Sequence, residues 1–89
     1  MGIALFDLDN TRIGIIGLGY VGLPLAVEFG KHYPTIGYDV KQTRINELRA
    51  GQDSSLEVDP AELQHVPYLS YTNQLEGLRD CNVYIVTVP

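Results

Sequence analysis

Three features of the chain predict an α/β fold built on a parallel sheet. Short apolar runs recur at 11–18, 35–39 and 82–88, without the polar alternation of a half-exposed strand. Helical spacings fill the intervals between them. The first run passes into a helix through three glycines, Gly17, Gly19 and Gly22. Size and composition agree with this class. The 89 residues make one small domain or part of one, and 45% hydrophobic with 19% charged residues suit a folded chain.

Several function classes are excluded at the outset. Six Lys+Arg against eleven Asp+Glu give a net charge of −5 and a pI near 4.7. That argues against binding nucleic acid or an anionic membrane through a basic surface. No apolar run approaches the ~18–20 residues of a bilayer span. Residues 1–10 lack a basic stretch and carry Asp7 and Asp9, so they read as an N-terminal extension and not as a signal peptide. The lone Cys81 cannot form an internal disulfide, and one thiol cannot build a metal centre. The expected compartment is the reducing cytoplasm, and no metal site is expected.

The first strand, 11–18, is β-branched and apolar on both faces. The following helix carries Leu23, Ala26, Val27 and Gly30 at helical spacing, with Pro24 in its first turn. Lys31 and His32 are expected in its last turn, against the negative helix end, before Pro34 forbids continuation. Gly17-x-Gly19-x-x-Gly22 therefore joins a strand to a helix, the context that gives this pattern meaning. Gly17 allows a tight turn, Gly19 lets a pyrophosphate approach the backbone, and Gly22 lets the helix pack on the strand. The N–H groups near Tyr20 and Val21 then face the phosphates, helped by the helix dipole. The alternative is a glycine-rich turn that holds no ligand.

The second strand, 35–39, ends in Asp39, 22 residues after Gly17 and close to the expected offset of ~20. A carboxylate there accepts hydrogen bonds from the adenosine ribose. It also repels a 2′-phosphate, by on the order of 4 kcal/mol for unit charges ~4 Å apart at an effective dielectric of ~20. This selects NAD over NADP, although Lys41 and Arg44 are cations that could accommodate a 2′-phosphate. Asp39 also reads as an N-cap for the next helix. Arg44 either lines the adenine edge or is a solvated helix charge.

Residues 41–50 form that helix, with Ile45 and Leu48 on one face and Gly51 as its stop. A polar loop covers 51–57. Asp59-Pro60-Ala61-Glu62 reads as a capping box opening a short helix that carries Leu63 and Val66. A third strand follows at 68–71. Asn73-Gln74-Leu75-Glu76 reads as a second capping box, for a helix with Leu75 and Leu78. The fourth strand, 82–88, is apolar enough to be central. Right-handed crossovers then give a Rossmann-type three-layer sandwich with strand order 3-2-1-4. Its switch point lies between the first and fourth strands, with Thr87, Val88 and Pro89 at the rim. The sequence stops after the fourth strand, so 11–89 reads as a partial dinucleotide-binding domain of a longer protein.

The stretch from Ile13 to Ala26, containing G-L-G-Y-V-G-L-P, resembles the UDP-glucose/GDP-mannose dehydrogenase family. Gly37-Tyr38-Asp39-Val40, the segment 44–51 and the segment 84–89 match it as well. Within the family, the resemblance is greatest to members acting on UDP-N-acetylglucosamine in capsule and O-antigen synthesis. The resemblance implies NAD-dependent, two-step oxidation of a sugar C6 alcohol to a carboxylate. It implies a thiohemiacetal and a thioester on a cysteine in a later domain. It also implies a UDP-sugar partner reached through domains absent here, and a homodimer or larger assembly. The family's cofactor contacts fall on Gly17, Gly19, Tyr20, Val21, Gly22, Asp39 and Arg44, with Thr87 and Val88 as contacts on the fourth strand.

No catalytic residue of the family is present. Cys81 precedes the fourth strand, does not match the nucleophile motif, and reads as a small packed hydrophobe. His32 and His65 read as helix-end or solvent-facing side chains, and the six tyrosines mostly as core or rim aromatics. These 89 residues alone are expected to be inactive. A second function class fits the same residues: a regulatory module that senses NAD(H) without chemistry. A third is another dinucleotide-dependent dehydrogenase, such as one acting on β-hydroxyacids; the Tyr-Val-Gly-Leu-Pro continuation ranks it lower.

Overall fold

The computed structural model describes residues 10–87. Four strands, β1 (Ile13–Ile16), β2 (Thr35–Tyr38), β3 (Leu69–Thr72) and β4 (Val83–Val86), form one parallel sheet in the order β3-β2-β1-β4. Ile13 lies opposite Thr35 on one side and Val83 on the other. The helices are α1 (Gly22–Gly30), α2 (Gln42–Arg49) and α3 (Pro60–Leu63), with a 3-10 turn at Leu75–Leu78. The expected strand order is observed.

Strand alternation divides the side chains of β1 between two faces. Ile13 and Ile15 enter a core with Leu23, Ala26 and Val27 of α1 and Ile45 and Leu48 of α2. Burying an aliphatic side chain of this size stabilises the fold by roughly 1.5–3 kcal/mol relative to exposure. Gly14 points to the opposite face, where a Cβ would meet Leu78, Tyr84 and Cys81. The 3-10 turn thus covers part of this second face as a thin third layer. Cys81 is buried there, as expected of a packed thiol, and burial pushes its pKa up.

Several local expectations are corrected. Lys31 and His32 lie past the end of α1, because the His32 and Tyr33 N–H groups both turn back to the Phe29 carbonyl. Lys31 instead pairs with Glu28 at 2.9 Å and Glu62 at 3.6 Å. Neither capping box forms. Asp59 precedes α3 without a side-chain cap, and Glu62 is turned toward Lys31. The 3-10 turn is preceded by Gln74, whose N–H donates to the Thr72 hydroxyl at 3.0 Å, and Asn73 caps nothing. Val66 lies beyond α3 as a half-buried neighbour of the core, and Leu75 is exposed. β4 stands last in the described sheet, as the order 3-2-1-4 requires, with Tyr84 and Val86 half-exposed or more.

Candidate functional site

The glycine turn is built by close approach at the carboxyl end of β1. Gly17 has φ +102°, a left-handed conformation that side chains resist, and its N–H donates to the Tyr38 carbonyl at 2.8 Å. A Cβ on Gly22 would collide with the Gly17 carbonyl oxygen, so the first turn of α1 sits directly on the strand end. A Cβ on Gly19 would meet nothing within 4 Å, which leaves that side of the turn open. Among the described residues, the N–H groups of Gly19, Tyr20, Val21 and Gly22 donate to no protein acceptor. They are orphan donors at the positive end of a nine-residue helix.

Gly19, Tyr20 and Val21 line a cleft of about 640 Å³, together with Gly17, Asp39, Lys41, Arg44, the 54–55 segment and Thr87. Tyr20 and Val21 are 71% and 57% exposed and flank the opening without filling it. Thr87 locks β4 to the turn. Its N–H donates to the Ile16 carbonyl at 2.9 Å and its hydroxyl to the Gly17 carbonyl at 2.9 Å. Val88 and Pro89 lie outside the described residues, as does nearly all of the 1–10 extension.

Asp39 follows β2 and turns toward the glycine loop. Its Oδ2 accepts the Leu18 N–H at 3.1 Å and its Oδ1 accepts the Lys41 N–H at 3.0 Å. It is therefore no N-cap for α2. Lys41 occupies that position, and Asp39 makes a two-residue side-chain turn ahead of it. Two strand ends, β1 and β2, are tied together through this carboxylate.

Of the two readings of Arg44, adenine edge or solvated helix charge, the structure does not have the second. Its side chain is 11% exposed. Nε donates to the Leu18 carbonyl at 2.8 Å, and Nη1 reaches Asp53 at 2.8 Å and Glu47 at 3.3 Å. Nη2 is buried with no hydrogen-bond partner among the described residues. Arg44 thus braces the glycine turn against α2 and the loop that follows it.

The loop was legible only as polar; its organising residue is Asp53. The carboxylate accepts from the N–H groups of Ser55, Glu57 and Val58, from the Ser55 hydroxyl and from Arg44. Burial pushes the carboxyl up, but the Ser55 hydroxyl, Arg44 and the Val58 and Ser55 amides outweigh it and hold the pKa at about 2. The loop so fixed keeps Leu56 at φ 60°, a conformation costing an L-residue roughly 1–2 kcal/mol. Glu47 is shifted down as well. Burial opposes this, and the Ser54 N–H and hydroxyl and Arg44 prevail. The sequence signal available was Asp53-Ser54-Ser55, an acid followed by small polar residues, which favours a carboxylate-capped turn. Among the described residues no three His, Cys, Asp or Glu side chains could hold a metal ion, and no helix is long and apolar enough to cross a membrane.

The arrangement offers a cluster of N–H donors to an anion and a carboxylate to a neighbouring hydroxyl. Comparison with known proteins points the same way. The family described as "UDP-glucose/GDP-mannose dehydrogenase family, NAD binding domain" matches residues 11–89. A UDP-N-acetyl-D-glucosamine 6-dehydrogenase of Pseudomonas aeruginosa is 56% identical over 82 residues, which cover 92% of this chain and 19% of that protein. One of the same name from Salmonella typhi is 52% identical over 85 residues, covering 96% and 20%. A ternary complex of GDP-mannose dehydrogenase from Pseudomonas aeruginosa superposes with a TM-score of 0.80 at 32% identity, covering 89% of this chain and 20% of that one. The chain spans about a fifth of the length of the curated relatives it matches.

Proposed function

Because the chain belongs to the UDP-glucose/GDP-mannose dehydrogenase family as its NAD-binding domain, we propose that it supplies the cofactor half of a UDP-sugar 6-dehydrogenase. The whole protein would oxidise the C6 alcohol of UDP-N-acetylglucosamine to the uronic acid in polysaccharide synthesis. The sugar is taken from the names of the two relatives above 50% identity. A further part of the protein would hold the sugar and the catalytic residues. The assembly would be a homodimer or larger and would work in the cytoplasm, where the unpaired Cys81 thiol stays reduced.

One observation carries this reading: the unpaired N–H groups of Gly19, Tyr20 and Val21 belong to residues that border the same cleft as the Asp39 carboxylate. The residues fit NAD. Bare backbone at Gly19 leaves room for a diphosphate, and the amides of Gly19, Tyr20 and Val21 supply its hydrogen bonds. Gly17 and Gly22 shape the turn. Asp39 retains acceptor capacity for ribose hydroxyls, because a carboxylate offers about four lone-pair sites and two are used. Arg44 braces this wall, Thr87 follows β4 at the rim of the cleft, and Val88, outside the described residues, is proposed as a contact from the family resemblance alone. NAD, when bound, supplies the hydride acceptor.

The full-length protein, given NAD and UDP-N-acetylglucosamine, is expected to form NADH, whereas the 89-residue chain alone does not. Asp39→Ala in the full-length protein is expected to weaken NAD about 10- to 100-fold, the effect of losing hydrogen bonds to a charged group. It should also relax discrimination against NADP. Unchanged calorimetric affinities for both cofactors would refute the role of Asp39. Tight NAD binding without turnover of any UDP-sugar would favour the sensing module.

A further inference from the structure

We propose that Asp53, assisted by Glu47, is a specificity-determining positioning residue: it holds the Arg44 guanidinium inside the protein and so withholds from the cleft the cation that would accept a 2′-phosphate. The inference rests on the reading of this cleft as the NAD site and adds the means by which it rejects NADP.

A guanidinium beside a ribose-binding carboxylate is the usual receptor for a 2′-phosphate, because its planar fork matches phosphate oxygens. Here each Arg44 nitrogen is committed or enclosed. Nε is spent on the Leu18 carbonyl, Nη1 on Asp53 and Glu47, and Nη2 is buried. The charge is cancelled as well as hidden. One cation faces two carboxylates, so the cluster sums to −1, and Asp39 adds a further negative charge on the same cleft. A 2′-phosphate would meet the Asp39 carboxylate and the exposed Lys41 ammonium, but no free guanidinium.

Asp53 is the stronger of the two anchors. Its side chain is fully buried, whereas that of Glu47 is 25% exposed. Three loop amides fix it, so it cannot follow Arg44 outward. Its carboxyl, with a pKa held down to about 2, is ionised at neutral pH. Lys41 also borders the cleft and is exposed. It is present in every variant below and cancels from the comparison.

The experiment measures calorimetric affinities of the full-length protein for NAD and NADP. Asp53→Asn keeps an oxygen for the loop amides but removes the charge that holds Arg44. The ratio of NADP to NAD affinity is expected to rise at least about tenfold, the effect of one charge-assisted hydrogen bond to the phosphate. In the double variant Asp53→Asn/Arg44→Gln that gain should vanish. A purely structural Asp53 would lower both affinities together and leave the ratio unchanged, which overturns the proposal. So would a gain that persists without Arg44. If Asp53→Asn does not fold, Glu47→Gln decides. It should raise the ratio a few-fold, and an unchanged ratio there is equally fatal. Wild-type protein that binds neither cofactor overturns the NAD reading itself, and this inference with it.

Discussion

Asp53 places a full negative charge where almost no water reaches, and its surroundings determine what that does to stability. An unpaired carboxylate so buried would cost several kcal/mol. Here donors from the loop and the Arg44 charge overcompensate, and the pKa falls from the ordinary 3.8 to about 2. The folded state therefore binds the proton more weakly than the unfolded chain does. The stabilisation is complete above the unfolded value and is lost as pH falls through the folded one. Its size is on the order of 2 kcal/mol. In the full-length protein, the apparent melting temperature should fall between about pH 4 and pH 2. Asp53→Asn should be less stable than wild type at neutral pH, with a shallower acid slope. Equal acid slopes in scanning calorimetry would remove Asp53 from this account.

Among the elements, α2 shows what a short sequence window can and cannot reveal. Its end was legible, because Gly51 follows the last apolar position. Gly51 has φ +78°, its N–H donates to the Leu48 carbonyl, and the Gln52 N–H reaches back to Glu47, the paired bonds of a Schellman cap. Gly51→Ala should cost about 1–2 kcal/mol, since an added Cβ also meets Gln64 at 2.6 Å. Thermal unfolding of the full-length variant checks this, and an unaltered midpoint would deny that the left-handed cap matters. The starts of the helices were less legible. Asp39, Asp59 and Asn73 all carry the chemistry of an N-cap. Yet Asp39 bridges to Leu18, and Asn73 stands one residue too early. A side chain that can cap can also bond a distant backbone, and a local pattern does not contain that distant partner. The site divides in the same way. The glycine turn and Asp39 are set by short-range spacing and were readable. The Arg44–Asp53 pair depends on a loop folding back onto α2, and nothing local specifies that return.

At the scale of the whole molecule, the two faces of the sheet are unequally covered. α1 and α2 bury the Ile13 and Ile15 side, while among the described residues the Gly14 side carries the 3-10 turn and Cys81. Strand order was predictable because right-handed crossovers leave few choices. The uneven cover was not, since an apolar strand reads the same whether or not a layer faces it. In this chain β4 shows the result: Tyr84 is 50% and Val86 65% exposed on the thinly covered side, at the edge of the described strands. Apolar strand edges favour pairing with other chains, and a net charge of −5 opposes it. Salt separates the two effects, because the Debye length is about 8 Å at physiological ionic strength and shrinks as salt rises. The 89-residue chain, prepared by itself, is expected to self-associate in sedimentation experiments, more strongly as salt is added. Val86→Lys should suppress that association even though it lowers the net charge from −5 to −4 and weakens the repulsion. If charge alone set the behaviour, the variant would associate more than the wild type. If the apolar edge sets it, the variant associates less, because a lysine at the edge must be desolvated before two strands can meet.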